Sequence, residues 1–105
     1  MSAPASAKHA AMIEVTRTGG TDPLAFEVVI REGRSESRHH VTMSRAACEK
    51  WAGSEHAPET CVEAAFRFLL DREPKESILG RFDVSVISRY FPEFERELPR
   101  YLGAG

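Results

Sequence analysis

The residue types that most often carry chemistry are two adjacent histidines, His39 and His40, and two cysteines, Cys48 and Cys61. A metal site needs three or four converging ligands. Adjacent residues of a strand point to opposite faces, so His39 and His40 cannot chelate one ion together. The remaining soft ligand, His56, adds no CxxC or HxxxH spacing. We therefore expect no metal and no other cofactor, with one inward, hydrogen-bonded histidine and one exposed histidine.

Nucleophilic or acid–base catalysis would need a cysteine paired with a histidine, or two carboxylates in a cleft. Cys48 has no oxyanion-hole sequence beside it, and it fits a small helix face next to Ala47 and Trp51. The carboxylates after residue 58 alternate with basic residues, which is typical of a solvated helix surface. No helix follows Gly19-Gly20, so a phosphate-binding loop is excluded there. We expect a protein that is not an enzyme.

A basic segment is the second feature that could bind a ligand. Four arginines outnumber two glutamates in residues 31–45, and they are Arg31, Arg34, Arg38 and Arg45. A basic hairpin beside a helix can contact phosphates, although no aromatic residue is interleaved here to stack on bases. A nucleic-acid-binding regulator is therefore the alternative function, and it requires these arginines to gather on one face.

Aromatic residues crowd into the second half of the chain. Seven of the nine lie after residue 60, namely Phe66, Phe68, Phe82, Tyr90, Phe91, Phe94 and Tyr101. A half this short cannot bury all of them centrally, and an apolar surface patch commonly marks a partner site. We take Tyr90, Phe91, Phe94 and Tyr101 as candidates for such a patch. The leading hypothesis is a non-enzymatic binding or accessory module that acts through a protein partner or through self-association.

The first half of the chain must position these groups on strands. Apolar residues alternate with polar ones over 12–18, 24–32 and 37–43, and turns rich in Gly, Asp, Pro or Ser separate the three runs. His39, Val41 and Met43 share one face of the third run. The pattern predicts a three-stranded antiparallel meander.

Helical spacing begins at residue 45. Ser44 is a predicted N-cap for a helix over 45–52, and Pro58 opens a second helix to about Glu73. A short helix over 75–79, a third over 84–90 capped by Asp83, and a last one from Pro92 follow, with Pro99 ending or kinking the last. The predicted fold is α+β, with four or five helices packed on one face of the meander.

Length and composition fit one ordinary domain. The chain has 105 residues, 42% of them hydrophobic, and a net charge of −2, which favours neither a polyanion nor a membrane as partner. Residues 1–11 are small and lack the apolar stretch of a secretory signal, so we expect a disordered tail before a domain over 12–102. We expect a cytoplasmic protein whose two cysteines, thirteen positions apart, are reduced thiols.

The run from Phe66 to Leu98 reads FRFLLDREPKESILGRFDVSVISRYFPEFEREL. It carries F-x-F-L-L-x-R-E-P, then E-S-I-L, then F-D-[LV]-x-x-I-x-x-Y-F-P-x-[FY]. In this pattern the chain resembles a small domain of uncharacterised bacterial proteins, which also place short strands ahead of the motif. The resemblance implies a bacterial, cytosolic setting, and it transfers no activity and no functional residue.

Overall fold

A computed structural model describes residues 11–103. Within them the chain forms four strands and four α-helices. The strands are β1 (Met12–Gly19), β2 (Leu24–Glu32), β3 (Ser35–Met43) and β4 (Arg81–Asp83). The helices are α1 (Arg45–Ala52), α2 (Pro58–Leu70), α3 (Ile87–Tyr90) and α4 (Phe94–Leu102), and two 3₁₀ turns cover Lys75–Ser77 and Val84–Val86.

The predicted α+β meander is present in β1, β2 and β3, which pair antiparallel in chain order. Alternation places one set of side chains under the helices, and Phe26, Val28 and Val41 are almost fully buried there. The opposite face carries charged side chains, as expected for an antiparallel sheet with one face in water. The prediction for the histidines is also confirmed, because His39 is buried and His40 is exposed.

The sheet differs from the prediction by one strand. Residues Arg81–Asp83 add parallel to β3, with Phe82 opposite Val41, so the sheet has four strands and is mixed. The backbone N–H of His40 donates to the carbonyl oxygen of Gly80 at 2.8 Å at the start of this pairing. Three residues are too few to show an alternating pattern, which is why the sequence shows no strand there.

The helices cover the inner face of the sheet. α2 packs against β1 on one side and α4 on the other. Phe66 and Phe68 on α2 are fully buried, and the Phe68 ring meets Phe94 of α4 edge-on at 5.0 Å between centroids. The core therefore lies between the sheet and the central helix α2.

Helix ends follow the predicted caps in two places. The Ser44 side chain accepts from the Ala47 N–H, and the Asp83 side chain accepts from the Ser85 N–H. Other details differ from the prediction. The segment after Pro74 is a 3₁₀ turn rather than a helix over 75–79, and the predicted helix over 84–90 is a 3₁₀ turn followed by the short α3. The second helix ends at Leu70, and α4 begins at Phe94 and continues past Pro99 to Leu102. Leu98 and Leu102 are both buried, so packing on each side of the proline holds this helix together.

Most of the predicted tail, residues 1–11, lies outside the described residues. The exception is Ala11, which is 5% exposed and packs with the core. Across residues 11–103, no helix has the length and apolar character that crossing a bilayer requires.

Candidate functional site

An apolar groove of about 270 Å³ opens between the end of α2 and the segment that runs from Ser77 to Phe91. Its floor is made by side chains that belong to the core. Its rim is formed by two apolar side chains that reach solvent, Leu79, 50% exposed, and Tyr90, 69% exposed. The floor and walls are Leu69, Ile78, Phe82, Val86, Ile87 and Phe91, with Glu73 and Ser77 as polar neighbours. We call this set of residues the apolar groove.

Leu79 is held outward by hydrogen bonds of its own backbone segment. Nδ1 of His39 lies 2.8 Å from the Leu79 carbonyl oxygen, and Gly80 bonds to β3 directly. A carbonyl only accepts, so Nδ1 carries the proton, and Nε2 accepts from the Ser37 hydroxyl at 2.8 Å. The exposed leucine therefore stands on a fixed part of the backbone.

The His39 ring that forms this hydrogen bond with Leu79 is neutral. Burial lowers the pKa of His39, although the hydrogen bond to the Leu79 carbonyl opposes that effect. The ring packs against Phe66, with centroids 5.5 Å apart. A neutral ring in this setting is consistent with a structural role for the histidine.

Tyr90 and Phe91 also line the groove, after the end of α3. Phe91 closes the last turn of α3 through its N–H to the Ile87 carbonyl at 2.8 Å. Its ring meets Phe68 edge-on at 5.9 Å, which anchors this corner on α2. Tyr90 then points away from the core as the most exposed of the large apolar residues described.

Lys75 anchors the 3₁₀ turn that leads into the segment from Ser77 to Phe91. Its stem is buried, and its ammonium bonds to Glu76 at 2.6 Å, to Glu32 at 3.5 Å and, closely, to the Ser35 hydroxyl. The hydrogen bond that Lys75 donates to Glu76 is the main reason why the pKa of Lys75 is raised. The 3₁₀ turn is thereby attached to the β2–β3 hairpin.

The other two aromatic candidates lie away from the groove. Phe94 has no exposed surface, so it supports the core and offers nothing to a partner. The Tyr101 hydroxyl donates to Asp71 at 2.6 Å and accepts from Arg72 at 3.4 Å. Arg72 in turn donates to Glu93 at 3.0 Å. The Tyr101 hydroxyl thus connects α4 to the residues that follow α2.

The structure does not bring the four candidate arginines together. Arg31 pairs with Glu14 and Glu36, and Arg38 pairs with Glu27 and Glu36, at 2.9–3.3 Å. Arg34 lies in the β2–β3 turn, whereas Arg45 begins α1 beyond the other end of β3. The nine residues of β3 separate those ends by roughly 26 Å at about 3.3 Å per residue.

The thiols do not have the environment of a nucleophile. Cys48 on α1 and Cys61 on α2 are free. Burial raises the pKa of Cys61 to about 12, and burial also raises the pKa of Cys48. Both are therefore protonated at neutral pH. In the part of the chain that the structure describes, no three His, Cys, Asp or Glu side chains form a group that could hold a metal ion.

Comparison with family models, with curated proteins and with solved structures finds no match to this chain.

Sequence reasoning found two groove residues, Tyr90 and Phe91, and missed Leu79 and Glu73. Leu79 follows Ile78 between Pro74 and Gly80, in a segment too short to show periodicity. Glu73 looks like one of many surface carboxylates until the fold places it beside Ile78 and Phe91. A pair of apolar residues directly before a glycine, in a turn between two helix breakers, is the one signal that could have drawn attention to Leu79.

Proposed function

We propose that the protein is a non-enzymatic binding module of the cytoplasm that acts through a protein partner, and that the partner docks in the apolar groove. The observation that carries this proposal is the exposure of Leu79 and Tyr90, which both line a concave, mostly apolar surface. Burying such side chains against a partner removes apolar area from water, which drives association.

The rigidity of the rim supports the same conclusion. An exposed leucine on a loose loop would lose side-chain and backbone freedom on binding, whereas Leu79 is already held by His39 and Gly80. The groove volume of about 270 Å³ lies just below the range of about 300–1,000 Å³ that is typical of small-molecule pockets. It suits one or two inserted side chains better than a cofactor.

The alternative, a nucleic-acid-binding regulator, has less support. Arg31 and Arg38 are already neutralised by glutamates, and Arg34 and Arg45 stand at opposite ends of β3. A phosphate backbone would have to displace ion pairs to reach the first two arginines. We therefore keep it as an outcome of the tests.

The experiment is capture of partners from the native host with three forms of the chain. The forms are the wild type, the Leu79→Ser/Tyr90→Ser variant, and a Met12→Ser control. Met12 is 61% exposed, as apolar as the rim residues, and lies on β1 away from the groove. Exposed substitutions change stability by about 0.5 kcal/mol or less, so all three forms should fold.

We expect one partner to bind the wild type and the Met12→Ser control and to be lost with the groove variant. Equal binding by all three folded forms would show that the groove is not the docking surface. Loss of the partner in Met12→Ser alone would move the site to the edge of the sheet.

A further inference from the structure

The apolar groove contains a carboxylate that pairs with no other residue in the described part of the chain. Glu73 is half-buried beside the groove, and no hydrogen bond or ion pair reaches its carboxylate from any other residue within 11–103. The neighbouring cations are engaged elsewhere, since Arg72 bonds to Glu93 at 3.0 Å and Lys75 to Glu76 at 2.6 Å. Burial alone raises the pKa of Glu73, as expected for a partly dehydrated carboxylate that pairs with no cation among the described residues.

This arrangement constrains what can occupy the groove. A purely apolar occupant would remove more water from Glu73 and leave its charge without a hydrogen-bond donor, which is unfavourable. An occupant with an ammonium or guanidinium group would replace the lost water with a charge-assisted hydrogen bond. The groove therefore discriminates among apolar ligands by the charge that they carry.

We propose that the apolar groove binds a segment of a partner protein in which an apolar side chain lies next to a lysine or arginine. The apolar side chain packs between Leu79 and Tyr90, and the cation pairs with Glu73. The inference rests on the proposed function and adds to it the chemistry of the partner.

A second copy of this chain fits the groove poorly. In a two-fold symmetric dimer the same patch meets itself, so two rims would face each other. Two Glu73 carboxylates would then be brought close together in a surface that is losing water, and like charges repel there. The unpartnered carboxylate thus favours a different protein with the opposite charge.

The experiment uses the ¹⁵N-labelled full chain and three capped tripeptides, Leu-Lys-Leu, Leu-Gln-Leu and Leu-Glu-Leu. Binding is measured from the amide shifts of residues 69–91 in a titration. We expect the lysine peptide to bind about threefold to fivefold more tightly than the glutamine peptide, the range of a partly exposed ion pair. The glutamate peptide should bind most weakly.

Variants separate the charge from the apolar contact. Glu73→Gln should make the lysine and glutamine peptides bind equally, while Leu79→Ser should weaken all three. Glu55→Gln is the charge-matched control, because Glu55 is exposed outside the groove, and it should keep the preference for lysine.

Each failure has its own meaning. Equal binding of the lysine and glutamine peptides to the wild type would overturn the charge inference and leave apolar docking intact. Equal partner binding by the wild type and the Leu79→Ser/Tyr90→Ser variant would overturn the proposed function itself. A dimer in sedimentation experiments that Leu79→Ser converts to monomer would overturn the inference in favour of a second copy.

Discussion

The outer face of the sheet and the helical side of the molecule treat charge in opposite ways. On the sheet, ion pairs are exposed and shared, and Arg31 and Arg38 each contact two glutamates. On the helical side, polar groups are partly buried and rely on a few specific bonds, as Tyr101 and His39 do. Shared exposed pairs tolerate the loss of one member, whereas a partly buried bond has no substitute.

The same contrast explains where a partner can bind. Val29 points to the outer face, opposite Glu14 and Arg38, and yet it is only 7% exposed. The long stems of the neighbouring charged side chains cover it. The charged side chains therefore cover Val29, and the apolar groove on the helical side stays open. Glu73 is the exception on that side, a carboxylate that pairs with no residue in the described part of the chain, which is why the proposed site lies there.

The largest effect should come from Asp83→Ala. Asp83 accepts from the Thr42 hydroxyl at 2.6 Å and from the Ser85 N–H at 3.1 Å, joining β4 to β3 and capping the next turn. Burial disfavours its charge, but these hydrogen bonds outweigh burial and lower the pKa of Asp83. We expect urea unfolding to show a loss of about 2 kcal/mol. Asp83→Asn should recover part of this loss, and wild-type stability in Asp83→Ala would contradict the contrast between exposed ion pairs and partly buried hydrogen bonds.

The next effect is that of Tyr101→Phe. This change keeps the ring, which meets Phe68 edge-on at 5.8 Å, and removes the hydroxyl that bonds to Asp71. We expect a loss of about 1 kcal/mol in the free energy of unfolding. Tyr101→Ser should cost more, because it also removes the ring. An unchanged free energy of unfolding in Tyr101→Phe would mean that the residue is free to serve as a partner contact.

Local features of this fold could be predicted from the sequence, whereas long-range contacts could not. The caps Ser44 and Asp83 were predictable, because capping depends on residue types within three positions. The inward turn of His39 was predictable from strand alternation. Its contact with Leu79, forty residues away, was not, because the contact depends on β4, whose three residues show no pattern.

The groove shows the same limit. Aromatic crowding predicted an apolar patch and placed Tyr90 in it, but composition could not tell Tyr90 from Phe94, which is fully buried. The two residues are four positions apart and both apolar. A short connection, Phe91 to Glu93, redirects the chain between them, and the direction of such a corner is set by packing on Phe68.

A smaller, pH-dependent effect should report on His39. Its pKa is lowered in the folded state, so below about pH 6.5 the unfolded chain takes up a proton that the folded chain does not. Stability from this group is therefore complete above pH 6.5 and is lost as the pH falls through the lowered pKa. Urea unfolding at pH 7.5 and 5.5 should show a smaller pH dependence in His39→Gln than in the wild type. The same pH dependence in both proteins would contradict the assigned neutral ring.

The smallest effect should come from Arg34→Ala/Arg38→Ala on the sheet. Arg38 is 56% exposed, and Glu36 keeps Arg31 as a partner when Arg38 is removed. We expect a change in the free energy of unfolding within about 0.5 kcal/mol, since exposed ion pairs contribute little.

The same variant tests the alternative function, because binding to duplex DNA through phosphates weakens with salt by a log–log slope of about −0.9 per contact. We expect neither tight duplex binding in the wild type nor any change in tripeptide binding in the variant. Duplex binding that is tight, falls steeply with salt and disappears with these two arginines would make the outer face, and not the groove, the working surface.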